Sequence, residues 1–427
     1  MTELLEKILS RENMIEAYKR VKANKGSSGV DGVEIEELKE YIRENWGSIK
    51  EQIRERRYKP QPVKRVEIPK PNGGKRKLGI PTVMDRVIQQ GIAQVVSPMC
   101  EPKFSEHSYG FRSKRSCEMA IRELLVYLNE GYEWIVDIDL EKFFDTVPQD
   151  KLMSLVHNII EDGDTESIIR KYLKAGVMVQ GRYERTREGT PQGGNLSPLL
   201  SNIMLNELDK ELERRGLRFV RYADDCIIAV RSEASAKRVM YSIIEWIERK
   251  LCLKVNAEKT KITRPNKLKY LGFSFYKDFK AEEWKSRPHE DSINKLKRVL
   301  KKITNRSKSM TFDERVQRLN QVIRGWINYF SMSSMKTVMG RIEEHLRTRL
   351  RVIIWKQWKV PAKRQWGLQK LGVGKEQAKV TSQMGNRYQW IVTKTCVVRA
   401  ISKEKLEKRG LMSCLDYYLK RHALKFY

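Results

Sequence analysis

The chain lacks any run of about 18 consecutive apolar residues, the length that a membrane-spanning helix requires. A secretory leader is not expected either. The N-terminus, MTELLEKILSREN, is patterned as a charged amphipathic helix without an apolar h-region. The six cysteines (Cys100, Cys117, Cys226, Cys252, Cys396, Cys414) are scattered and form no CxxC pair. That spacing indicates neither a zinc site nor a disulfide framework and fits a reducing cytosol. Five histidines and no HExxH speak against a zinc hydrolase. Internal repeats and low-complexity tracts are absent. Acidic residues are the marked shortage: 54 Asp+Glu face 85 Lys+Arg, a formal net charge of +31. This balance excludes a typical acidic metabolic enzyme and implies a polyanionic partner, nucleic acid being the usual one. Charge alone leaves DNA, RNA and an anionic membrane surface open.

What is present suffices for real cores. Apolar residues make up 40% and aromatics 9%, which excludes disorder as the main state. The length accommodates two or three domains of roughly 100–200 residues each. The charge is unevenly placed. Residues 286–427 carry 33 Lys/Arg against 10 Asp/Glu, a net of +23, and the first 285 residues a net of only +8. The last third is therefore expected to be the main electrostatic gripping surface.

Residues 1–60 read as helices broken at Asn24-Lys25-Gly26-Ser27-Ser28-Gly29. Two β-type runs in VKRVEIPKPNGGKRKLGIP then flank Pro71-Asn72-Gly73-Gly74, a hairpin signal. Its arms carry Lys64, Arg65, Lys70, Lys75, Arg76 and Lys77, cations suited to closing over phosphates. In WIVDIDLEKFFDTV, Asp137 and Asp139 fall on one face of a strand, about 6.5–7 Å apart. Either can reach a metal on period alone. GTPQGGNLSPLLSNIML is a glycine-rich turn feeding a helix, with Ser197 expected as N-cap, Pro198 at the first position and Gly216 at the stop. Leu200, Met204, Leu208 and Leu212 give that helix a core stripe.

FVRYADDCIIAV reads as an apolar hairpin with Asp224 and Asp225 at its tip, followed by a helix around 233–251. A strand is expected at LKVNAEKTKI (253–262) and a second hairpin at LKYLGFSFY (268–276). After Pro288 the composition turns to basic helices, with apolar stripes at Ile293, Leu296, Val299, Leu300, Ile303 and again from Val316 to Phe330. The stretch 355–375 reads as a linker between two helical modules.

Adjacent carboxylates at a hairpin tip repel one another unless protonated or bridged by a cation. Beside a third acid on a neighbouring strand they make a hard-oxygen site suited to Mg²⁺. Two such ions can activate a 3′-hydroxyl and stabilise leaving pyrophosphate.

YADD at 222–225, DLEKFF at 139–144 and GTPQGGNLSP at 189–198 together resemble a reverse transcriptase, as does the 85-residue spacing of the strand acid to the YADD acids. The full order is most similar to group II intron-encoded reverse transcriptase/maturases. It includes KGSSGVDG, PVKRVEIPKPNGGKRKLGIP, HSYGFRSKRS at 107–116, NAEKTKI, YLGFSF and RGWINYF at 324–330. The resemblance covers essentially the whole chain. It selects Asp139, the acid followed four residues later by an aromatic, with Asp137 in support. It implies Asp139, Asp224 and Asp225 as catalytic metal-binding residues and two Mg²⁺ ions, replaceable by Mn²⁺. By the same resemblance Phe143 stacks under the incoming sugar and leaves no room for a 2′-hydroxyl. Lys64, Lys70 and Arg76 contact the triphosphate, Gln192 lies against the nascent base pair, and Lys259 assists the pyrophosphate.

Many relatives end in an HNH-type endonuclease with paired cysteines, a pattern missing here, so no endonuclease activity is expected and the chain resembles the short class C-type members. The implied fold is α+β, a right-hand polymerase. Residues 1–100 form fingers with an N-terminal extension, 101–287 the palm with an antiparallel sheet, 288–364 a helical thumb, and 365–427 a basic helical nucleic-acid-binding domain. The implied partners are group II intron RNA, an RNA template with DNA primer, target DNA and dNTPs, with no membrane. The expected location is the bacterial cytoplasm, on the nucleoid when acting on DNA. Two rival readings stand beside this one: an RNA-binding splicing maturase without polymerase activity, and a retron or CRISPR-associated reverse transcriptase.

Overall fold

Ser10 separates the first two helices, α1 (Glu3–Ile8) and α2 (Arg11–Ala23), because its hydroxyl accepts from Asn13 N at 3.4 Å and caps α2. These and α3 (Leu38–Arg54) account for the helical reading of residues 1–60. The computed structural model describes residues 2–69, 73–190, 193–385 and 387–425. The chain is α+β and divides into two compact units, Met1–Arg264 and Pro265–Tyr427.

In the first unit β1 (Val63–Pro69) and β2 (Lys75–Ile80) pair antiparallel as expected, in register from Lys64↔Ile80 to Pro69↔Lys75, while Pro71 and Asn72 of the expected turn lie outside the described residues. α4 (Val83–Cys100) begins with a reciprocal cap: Asp85 N donates to Thr82 Oγ1 and the Thr82 hydroxyl returns a bond to Asp85. The Asp85 carboxylate also accepts from Tyr58, Tyr172 and Gln61 N, which satisfies an otherwise costly buried charge. Next come α5 (Cys117–Asn129), β3 (Trp134–Ile138), the short α6 (Phe143–Thr146), α7 (Gln149–Ile160) and α8 (Gly163–Leu173). β4 (Val177–Val179) pairs in parallel with β1 and antiparallel with β5 (Arg182–Glu184), giving a sheet of order β2-β1-β4-β5.

α9 (Ser197–Arg214) buries Leu200, Met204, Leu208 and Leu212 as expected, and Gly216 follows it at φ +65°. Its start differs from expectation. Leu196 is already helical and is the N-cap, so Ser197 and Pro198 lie inside the first turn. β6 (Arg218–Tyr222), β7 (Asp225–Val230) and β8 (Lys261–Thr263) join β3 in an antiparallel sheet of order β6-β7-β3-β8, with α10 (Glu233–Trp246) between β7 and β8. Ile135 and Val136 point to opposite faces and both are fully buried, so both faces of this sheet are covered. The strand expected over 253–262 shrinks to β8. Asn256 Oδ1 accepts from Glu258 N and Lys259 N, an Asx turn that competes with the ladder.

The second unit opens with β9 (Phe273–Asp278) paired to β10 (Glu283–Pro288). The hairpin expected at 268–276 is only a tight reversal at Leu271-Gly272, both at positive φ, with a single Tyr270–Phe273 bridge. Helices follow: α11 (Glu290–Ile303), α12 (Phe312–Phe330), α13 (Lys336–Gln357), α14 (Pro361–Lys370), α15 (Lys375–Ser382), α16 (Tyr388–Ile391), α17 (Thr395–Ala400), α18 (Lys403–Lys408) and α19 (Cys414–Ala423). The expected linker at 355–375 is therefore mostly helix, started by Pro361 in a first turn that needs no N–H from it. α19 packs on α12 and α13. Tyr418 donates to Ser333 O at 2.9 Å and accepts from Met335 N, and Glu343 accepts from Ser413 Oγ and Leu415 N.

Candidate active site

Register brings the acids together. Ile138 at the end of β3 pairs with Cys226 at the start of β7, so Asp139 emerges beside the β6–β7 turn that carries Asp224 and Asp225. The Asp139 backbone is clamped on both sides: its N–H donates to Thr260 Oγ1 at 3.2 Å and its carbonyl accepts from Asn256 N at 2.8 Å. Its carboxylate is paired with Lys259 Nζ at 3.2 Å. Tyr222 and Asp225 close the turn, which Ala223 enters at φ +57°. Gly110 packs against it so closely that a Cβ there would lie 2.2 Å from Ala223 N.

The electrostatics match crowded acids. Desolvation raises the Asp225 carboxyl to about 6 although its outer edge is open to solvent, and Asp224, Asp137 and Asp139 push the same way. Asp224 is raised first by burial and then by Asp139, with Arg76 opposing. Burial likewise lifts Asp137 to about 6. Among the described residues no three Asp, Glu, His or Cys side chains already converge as a ligand sphere. The donor set nonetheless suits a hard divalent cation. It consists of carboxylate oxygens that repel one another, one of which already holds the ammonium of Lys259.

Asp139 and Asp224 line a cleft of about 1120 Å³ whose other walls are Arg65, Lys75, Arg76 and Lys77 of the β1–β2 hairpin, residues 140–145, and the 185–190 segment with Arg185 and Arg187. Phe143 lines it too, is only 2% exposed, and meets Phe144 edge to face with centroids 5.2 Å apart. Gly189, at φ +85°, has no room for a Cβ: the Phe144 and Asp145 carbonyls would lie 2.8 Å away. Gly193, at φ +122°, likewise approaches the Gly79 carbonyl, where a Cβ would sit at 2.5 Å. Gly189 is thus pressed against the α6 turn and Gly193 against β2.

Of the expected site residues, the structure gathers Asp139, Asp224, Phe143, Arg76 and Lys259 along the cleft, with Asp225 closing the turn at its edge. Lys64 does not line it. Neighbours on a strand point to opposite faces, and Arg65 is the one on the cleft side, 3.7 Å from Asp145. Lys70 and Gln192 lie outside the described residues. Sequence reasoning misses Asn256 and Thr260, which hold Asp139, and the cations Arg185 and Arg187. The NAEKT segment is the signal that points to the first two, although it assigns their side chains no role.

Residues 68–275 match the reverse transcriptase (RNA-dependent DNA polymerase) family, and residues 293–372 match the maturase-specific domain of group II introns. Protein YkfC of Escherichia coli (strain K12) is 33% identical over 303 residues, which cover 62% of this chain and 80% of that protein. The group II intron-encoded protein LtrA of Lactococcus lactis subsp. cremoris is 34% identical over 262 residues, 61% of this chain and 42% of that one. A putative COX1/OXI3 intron 2 protein of Saccharomyces cerevisiae is 28% identical over 354 residues, 67% and 40% respectively. The chain thus spans most of YkfC but less than half of the other two. With a reverse transcriptase domain followed by a maturase-specific domain, the chain belongs to the reverse transcriptase/maturase family of group II intron-encoded proteins.

Proposed function

We propose that this protein copies intron RNA into DNA with two Mg²⁺ ions held by Asp139, Asp224 and Asp225, and that it binds its group II intron RNA to assist splicing and retrotransposition. The family works with divalent metal ions and acts on nucleic acid. The observation that carries the finer reading is the meeting of carboxylates from β3 and the β6–β7 turn with hairpin cations across one cleft. When bound, Mg²⁺ supplies Lewis-acid activation of a primer 3′-hydroxyl and charge neutralisation for pyrophosphate. The chain's own groups do the rest. Arg76 on β2 faces the triphosphate, and Phe143 with the clamped Asp139 backbone sets the floor under the sugar. Lys259 must leave the Asp139 carboxylate for that group to ligate, and from there it serves the leaving phosphate.

The proposal locates the protein in a bacterial cytoplasm, on RNA, an RNA–DNA primer duplex or target DNA. Among the described residues no helix is long and apolar enough to cross a membrane. The test is primer extension on an RNA template with Mg²⁺ or Mn²⁺ present or chelated. Metal-independent extension, or none by the intact chain, refutes the reading.

Phe143→Ala should raise ribonucleotide incorporation relative to deoxyribonucleotide by about 10–200-fold, the scale on which a single pocket group discriminates between substrates. Because Phe143 is buried, the same change should cost about 3–5 kcal/mol of stability. Phe144→Ala is the control and should leave sugar selection as it was. Unchanged selection in an active, folded Phe143→Ala protein makes Phe143 a core residue only.

A further inference from the structure

Arg221 and Asp209 have no exposed side-chain surface and form a bidentate pair, Nε to Oδ1 at 2.7 Å and Nη2 to Oδ2 at 2.5 Å. Taking both charges out of water costs about as much as their attraction returns, so such a pair is a poor source of stability. What distinguishes it is what else Arg221 holds. Its Nη1 donates to Asn202 Oδ1 at 3.1 Å and to the Ala223 carbonyl at 2.8 Å. Asn202 Nδ2 donates to the Gly110 carbonyl at 2.8 Å, and Gly110 is the residue pressed against Ala223 N. The Arg221 backbone is fixed as well, its N–H donating to His107 O and its carbonyl accepting from Tyr109 N. The Arg221 bond at its carbonyl and the close approach of Gly110 at its N therefore hold Ala223, an L residue in a left-handed conformation that it adopts only under constraint.

We infer that Arg221, Asp209 and Asn202 form a positioning device that presets the Ala223 turn, and with it the direction of Asp224 and Asp225, before any metal arrives. Arg221 acts through the Ala223 carbonyl and touches no substrate. The inference rests on the assignment of Asp224 as a metal ligand. The plainer alternative, that the pair only ties α9 to β6, leaves the bond to Ala223 O without a purpose. An apolar pair would make that tie as well or better.

The deciding protein is the full chain carrying Arg221→Met and Asp209→Leu together, which removes both charges and leaves neither uncompensated. It should melt at or above wild type. In the metal-free state, amide hydrogen exchange at residues 222–225 should accelerate by about tenfold or more, as expected for a local release. Mn²⁺ binding, read by electron paramagnetic resonance without primer or nucleotide, should weaken by about 10–100-fold, the usual scale for groups that orient metal ligands. A folded double variant with wild-type exchange and wild-type Mn²⁺ binding overturns the inference. If the double variant does not fold, Asn202→Ala, which removes no charge, is judged by the same two measurements. Asp224→Asn run alongside separates the two readings. Wild-type Mn²⁺ binding by that variant refutes the metal assignment. Lost binding there, with normal binding and exchange in the double variant, refutes only the positioning role.

Discussion

Asp224→Asn should give a protein that makes no cDNA and still binds intron RNA. Asparagine keeps the volume and loses the charge, so the site can no longer balance two cations, and polymerisation should fall by several orders of magnitude. The cations expected to grip RNA belong to the other unit, so affinity and splicing at low Mg²⁺ should persist in the same preparation. The metal-free fold should gain. Asp225 titrates at about 6 instead of 3.8, raised first by burial and next by Asp224. A carboxyl raised by folding carries no penalty below about pH 4, where both states are protonated, and its full penalty above about pH 6. Removing the Asp224 charge should therefore lower the Asp225 pKa and raise the Tm of the metal-free protein at pH 7.5, with the gain vanishing below pH 4. Polymerisation that survives the change removes Asp224 from the metal site. Splicing lost along with it, in a protein of normal Tm, means that the two roles share a site.

Affinity for intron RNA should drop by about 10³–10⁵ between 50 and 200 mM salt if six to ten phosphates are neutralised. Cutting the chain at residue 364 cannot test this, because α19 completes the packing of α12 and α13 and its loss would open that core. Exposed cations must be changed in place. Lys375, Lys379 and Arg387 are exposed and pair with no carboxylate among the described residues. Replacing all three with Gln should flatten the log–log salt slope by about 0.7–0.9 for each phosphate that the variant no longer neutralises. A slope equal to that of wild type moves the RNA grip elsewhere.

How much the residues reveal in advance depends on how local the signal is. The YADD turn, the β1–β2 arms and the α9 stripe are set by neighbours within a few residues, and each is legible. The parallel β1–β4 joint is not, since it couples Val63 to Val177 across more than a hundred residues with no turn to announce it. The strand reading of 253–262 fails because Asn256 offers the backbone its own acceptor. Choosing Lys64 over Arg65 needs the facing of β1, which a cation-rich run does not display. Arg221 looks like one more cation in a basic chain. Its meaning lies in Asp209 and Asn202, which reach it only through the packing of α9 on β6.

The return of α19 onto α12 and α13 also sets an order of events at the ribosome. Unit Met1–Arg264 is contiguous in sequence and can close as soon as it has emerged, whereas the second unit waits for its last helix. At about 5–20 residues per second, the 66 positions from the end of α13 at Gln357 to Ala423 take about 3–13 seconds to appear. During that interval the apolar surface of α12 and α13 that α19 covers stays open, beside the exposed Lys336 and Arg341 of α13. An RNA strand bound as proposed would meet those cations while the second unit is still assembling.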